Sequence, residues 1–148
     1  MATGEEPDLT LAGLSIWARS REFSESDDYW DGNWIDIRAR VEAPGAFVET
    51  SGPWVRSDEI AAFAEELEVL YRDLRGAAEF RCVEPMLGAR VVVGVRGNVE
   101  VTIEITPDHL AQSHRFEFAI DQSYLGATLS GCRRLLARFP VKGSSTAP

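Results

Sequence analysis

The sequence predicts an α+β fold: a largely antiparallel, curved β-sheet of about seven strands with two main helices, at about 57–75 and 122–139, packed on it. Three observations lead there. Most strand-like runs follow one another through links too short for a crossover, which only antiparallel pairing allows. Two longer stretches carry apolar residues at helical spacing on one side, so each needs a sheet face to cover it. Finally, 148 residues with 45% hydrophobic and 26% charged content suit one domain that needs no metal or disulfide, expected over 9–142 between flexible tails at 1–8 and 143–148.

The elements follow in order. Leu14-Ser15-Ile16-Trp17-Ala18 alternates as a half-buried strand does, and a polar link runs from Arg19 to Asp28. After a turn at Asp31-Gly32-Asn33, Ile35, Ile37, Ala39 and Val41 share one face of a second strand, and Pro44-Gly45 turns the chain into a returning strand at Phe47-Val48-Glu49-Thr50-Ser51. Ser57 is placed to cap a helix with Asp58 and Glu59 in its first turn; Ile60, Phe63, Leu67, Leu70, Tyr71 and Leu74 make its apolar stripe, and Gly76 suits its C-terminal cap. A short strand through Ala78, Phe80 and Cys82 ends at Pro85.

The runs 90–95 and 99–105 permit a register prediction. A three-residue loop, Arg96-Gly97-Asn98, pairs Val95 with Val99, Val93 with Val101 and Val91 with Ile103 on one face, with Asn98 or Gly97 left-handed. A two-residue loop would instead set Val95 against Glu100. Beyond Pro107, His114, Phe116, Phe118 and Ile120 share a face of the last strand. Asp121-Gln122-Ser123 then caps a helix whose Leu125, Leu129, Cys132, Leu135, Leu136 and Phe139 point inward, and Pro140 ends it.

The net charge of −9 is uneven: residues 1–36 hold nine acids against two arginines, whereas residues 77–148 hold seven acids against eight bases. Such a field repels nucleic acid and favours a basic protein partner, although acidity also serves solubility alone. The start of the chain lacks the basic and apolar runs of a secretion signal, and no stretch approaches the roughly 20 apolar residues of a membrane span. Cys82 and Cys132, outside any CxxC pattern, read as reduced thiols in a cytoplasmic protein.

Catalytic chemistry finds little support. His114 sits beside Phe116 as a core-edge histidine, and no GxSxG, HExxH or phosphate-loop motif is present. Calcium could in principle use Asp27, Asp31, Asn33 and Asp36, but the EF-hand spacing is absent and a solvated loop is favoured. The expectation is therefore no catalytic residue, no metal and no cofactor.

The densest chemistry lies in Asp27-Asp28-Tyr29-Trp30-Asp31-Gly32-Asn33-Trp34, where carboxylates and large rings crowd one segment. It is either a core anchor beside a solvated loop or a recognition surface. Several motifs in order resemble the WapI family of bacterial immunity proteins over about residues 10–142: Asp28-Tyr29-Trp30-Asp31-Gly32-Asn33-Trp34 opening a strand, Leu67-Glu68-Val69-Leu70-Tyr71, Ala78-Glu79-Phe80 with Glu84-Pro85, Asp121-Gln122-Ser123-Tyr124-Leu125, and Phe139-Pro140-Val141. The resemblance implies a cytoplasmic, non-enzymatic antidote that neutralises the secreted toxin domain of a wall-associated contact-dependent toxin, a nuclease acting on tRNA. On that reading Asp27, Asp28, Tyr29, Trp30 and Asp31 are the candidate partner contacts, Trp34 belongs to the core, and Trp30 could serve either purpose. The alternative is an acidic binding module of the same fold with no toxin, which forms a homodimer through an exposed sheet edge.

Overall fold

The computed structural model describes residues 4–146. The expected tails reach into residues 1–3 and 147–148, which lie outside the described residues. Within the first tail, Glu5 O accepts from Trp17 Nε1 at 3.0 Å and the Asp8 carboxylate accepts from Ala18 N at 2.7 Å.

The strands form two four-stranded antiparallel sheets. The first has the order β1 (Leu9–Leu11), β2 (Leu14–Arg21), β3 (Trp34–Ala43), β4 (Ala46–Arg56); the second runs β5 (Gly76–Phe80), β6 (Leu87–Val93), β7 (Val99–Ile105), β8 (Arg115–Ile120). The α+β class and antiparallel pairing are as the sequence predicts. Among the described residues the strands number eight, divided between two sheets; the additional one is β1, whose three residues are too few for periodicity to show. Helices are α1 (Tyr29–Gly32), α2 (Ser57–Asp73) and α3 (Leu125–Arg138), the last entered through a 3-10 turn at Gln122–Tyr124.

Alternation builds the core. Leu14, Ile16 and Ala18 lie opposite Val41, Ala39 and Ile37, all buried, while Arg38 and Arg40 point outward. Outside, the Arg38 and Arg40 guanidiniums lie 4.1 and 4.9 Å from the Trp17 ring and leave it 8% exposed. Ile60, Phe63, Leu67 and Leu70 of α2, with Leu125, Leu129, Cys132 and Leu135 of α3, close the core, and Phe63 meets Phe80 of β5 at 5.3 Å between ring centres. Each such side chain contributes about 1.5–3 kcal/mol by leaving water.

Three local expectations need correction. The β6–β7 register is offset by two residues: Val93 pairs with Val99, Val91 with Val101 and Ala89 with Ile103, so the loop is Gly94–Asn98 and Val95 stands fully in solvent. Gly94 N donates to Asn98 O at 2.8 Å and closes the loop, and the Asn98 side chain packs over Gly94 where a Cβ would push it aside. Because the offset is even, the valines keep the predicted face, and Gly97 is left-handed at φ +79°. Second, Arg56 rather than Ser57 is the N-cap of α2, its N–H donating 2.9 Å to Glu59 Oε1. Third, α2 ends on Leu74 at φ +53°, whose N–H reaches Leu70 O, while Gly76, φ +95°, turns the chain directly into β5.

Candidate functional site

The segment that sequence reading singled out is not an irregular loop but one helical turn standing on a buried arginine. Asp28 is its N-cap: the carboxylate accepts from Trp30 N at 3.0 Å and Asp31 N at 3.1 Å. Ser26 Oγ in turn accepts from Asp28 N at 3.2 Å. A lone turn leaves its last carbonyls without helical partners, and Arg56 supplies them. Its guanidinium, 4% exposed, donates to Tyr29 O and Trp30 O, both at 2.7 Å, and to Asp58 Oδ1 at 2.9 Å. The same group lies 5.2, 5.8 and 5.0 Å from the ring centres of Tyr29, Trp30 and Trp34. Thus one cation holds three rings and two carbonyls.

Asn33 fastens the other side. Fully buried, it donates from Nδ2 to Tyr29 O and Lys142 O, both at 2.9 Å, and accepts Lys142 N on Oδ1 at 2.8 Å, so one amide pins the segment after α3 against α1. Lys142 Nζ donates to Ser26 O at 2.8 Å and lies 3.7 Å from Asp27. Gly32 is required beneath this contact, because a Cβ would sit 2.6 Å from Ser26 O. The Tyr29 hydroxyl donates to Asp58 Oδ2 at 3.0 Å; partial burial first, and the Asp58 carboxylate second, raise its pKa above the ordinary phenol value.

The predicted contact residues therefore separate by position. Asp27, with its side chain 97% exposed, Trp30, 60% exposed, and exposed Asp31 face solvent. Asp28 is exposed but engaged as a cap, and Tyr29 is half-buried on Asp58. Trp34 is half-buried and pairs with Arg56 across β3 and β4. Sequence reading missed Arg56, Asn33 and Lys142 as the supports of this turn. Arg56 and Lys142 act on chain far away in sequence, and Asn33 joins Tyr29, four residues before it, to the distant Lys142.

The residues weighed for calcium do not converge. Asn33 is consumed by Lys142, and Asp36 lies on the outer face of β3, 4.0 Å from Arg19. Among the described residues no group of three His, Cys, Asp or Glu is arranged to hold a metal ion. Burial pushes the Cys132 thiol up to about 12 and raises Cys82 as well, so neither is a ready nucleophile.

A model of the Immunity protein WapI-like family matches residues 8–140, from just before β1 to Pro140, whose carbonyl accepts from Arg21. The chain belongs to the WapI-like immunity protein family. For a WapI-like chain the family points to a role in toxin immunity, with a toxin protein as the binding partner, and such families are in general non-catalytic. No curated protein matches this WapI-like chain. Among solved structures, the plant transcriptional regulator PBF-2 is 12% identical with a TM-score of 0.49, covering 85% of this chain and 75% of its own. Those of WHY3 and WHY1 from Arabidopsis thaliana are 13% and 10% identical with TM-scores of 0.48 and 0.47, covering 85% and 86% of this chain and 81% and 78% of theirs. At those scores the likeness carries no weight for function. No helix among the described residues is long and apolar enough to cross a membrane.

Proposed function

We propose that this chain binds and neutralises a cognate secreted toxin domain, a nuclease with a basic nucleic-acid-binding surface, without catalysing any reaction. The observation that carries the proposal is the braced turn that exposes the Trp30 ring together with the Asp31 carboxylate and that of Asp27, which stays open to solvent beside Lys142. A nuclease must present cations where it holds phosphate, and exposed Glu22, Glu25, Asp27 and Asp31 on one stretch give those cations an alternative partner. Trp30 then supplies the apolar anchor that a charged rim needs. Asp28 and Tyr29 contribute by holding the turn, through the cap and through Asp58. Because Arg56 and Asn33 fix the backbone beforehand, little ordering entropy is lost on binding.

Co-expression in a toxin-sensitive bacterial host, with the variable C-terminal domain of a large secreted protein encoded beside this chain, tests the proposal. Survival above the toxin-only control, with recovery of a stable complex, is expected. Equal killing with and without this chain contradicts immunity against that toxin.

A further inference from the structure

A sheet edge offers unpaired N–H and C=O groups to any passing strand unless it is covered, bulged or interrupted. Three of the four edges here are blunted. α3 covers β1: Thr128 Oγ1 donates to Thr10 O at 2.7 Å, and a Cβ on Gly131 would lie 2.8 Å from Asp8 O. Pro53 and a register shift between Ile35 and Ile37 of the neighbouring strand interrupt β4. Along β5, the Glu66 carboxylate of α2 accepts Glu79 N–H at 3.0 Å. Among the described residues β8 has none of these devices and is hydrogen-bonded on one side only, to β7.

The ladder phase shows which groups β8 presents. Ile105 N donates to His114 O at 3.2 Å, so the even-numbered residues of β8 bond β7, and the N–H and C=O of Arg115, Glu117 and Ala119 turn outward. Phe116, Phe118 and Ile120 remain half-exposed, although Ile103, Val101 and Val99 opposite them are buried. Beside them opens a groove of about 370 Å³ lined by Thr10, Ala12, Phe118, Ala119, Ile120 and Tyr124.

We infer that β8 is a self-association edge, occupied by the β8 strand of a second copy, antiparallel about a two-fold axis at Phe118. Charge and apolar complementarity select that register. It sets Phe118 against Phe118, Phe116 against Ile120, Arg115 against Asp121 and Glu117 against Ala119 of the second copy. An axis at Glu117 would oppose two carboxylates, and one at Phe116 would leave Ile120 beyond the paired span. Asp121, at φ −82° and ψ 146°, continues the extended backbone by one residue before the turn it caps, with its carboxylate also accepting Ser123 N at 2.8 Å. The two sheets then merge through β8 into one, no residue of that pairing belongs to the turn carrying Trp30, and the inference stands independently of the toxin reading. So short an interface gives a weak dimer, in the micromolar range.

Sedimentation velocity of the purified chain from about 1 to 200 μM tests it. The expected result is a concentration-dependent monomer–dimer equilibrium. Ala119→Pro, which removes an outward N–H, should give monomer with an unchanged circular dichroism spectrum. Arg115→Asp should weaken the dimer about tenfold through its two symmetric pairs, and the double variant R115D/D121R should recover most of that loss. A wild-type chain that stays monomeric throughout, or a folded Ala119→Pro variant that dimerises as well as wild type, overturns the proposal. Failure of Asp121→Arg to rescue Arg115→Asp, with the double variant folded, overturns the register.

Discussion

The Arg56 guanidinium donates to the carbonyl oxygen of Trp30 at 2.7 Å while lying 5.8 Å from the centre of its ring. A residue at the foot of α2 thus fixes both the backbone and the side chain of the most exposed ring in the acidic segment. Lysine cannot serve Tyr29 O, Trp30 O and Asp58 together, because an ammonium lacks the planar fork. Arg56→Lys should therefore lower stability by about 2–3 kcal/mol in urea denaturation and speed hydrogen exchange at the Trp30 and Asp31 amides. Unchanged exchange would mean that the turn stands without Arg56.

Asp27 and Asp28 are neighbours with different duties. Asp28→Ala should cost about 1 kcal/mol by removing the cap, Asp28→Asn should cost little because asparagine caps equally well, and Asp27→Ala should stay within about 0.5 kcal/mol. Thermal or urea unfolding of the three variants checks the order.

Lys142 is the only lysine, which makes the Asn33 clasp easy to read. Asn33→Ala leaves Lys142 N and O without their amide partner and should release the segment after α3. A lysine-specific protease should then cleave after residue 142 about tenfold faster than in wild type, corresponding to about 1.4 kcal/mol of local opening.

Glu59 is buried, which raises its pKa, and the Val83 and Arg56 N–H groups bonded to its two oxygens partly offset the rise. Its folded pKa lies above the unfolded one, so its contribution to stability is complete below the ordinary carboxylate range and is lost as pH rises through the raised value. Glu59→Gln removes this dependence and places an amide N–H where an acceptor is needed. Urea denaturation should show wild type more stable than Glu59→Gln, with the margin widest near pH 4 and shrinking toward neutrality. A margin that grows with pH would reverse the sign of the linkage.

The two long helices and the inward faces of Ile35–Val41 and Val99–Ile105 were readable because burial there repeats with the period of the backbone. What escaped depends on contacts distant in sequence. The Asp28 side chain could have been read as a cap, but a single helical turn is stable only with Arg56 beneath it, and Arg56 resembles any charged residue before a helix. The hairpin register escaped for a different reason: the valine alternation fits both registers, and the observed one is closed by a local bond from Gly94 N to Asn98 O. For the segment singled out, the sequence does not tell which carboxylate stands open to solvent and which is a cap.

Association kinetics with the neighbouring toxin domain, followed against salt concentration, test the central claim most directly. If Trp30 anchors and Asp27 and Asp31 steer, Asp27→Asn with Asp31→Asn should slow association about tenfold at low salt and flatten its salt dependence, while Trp30→Ala should mainly speed dissociation. A complex that forms and dissociates at wild-type rates in all three substitutions would show that this turn does not meet the toxin.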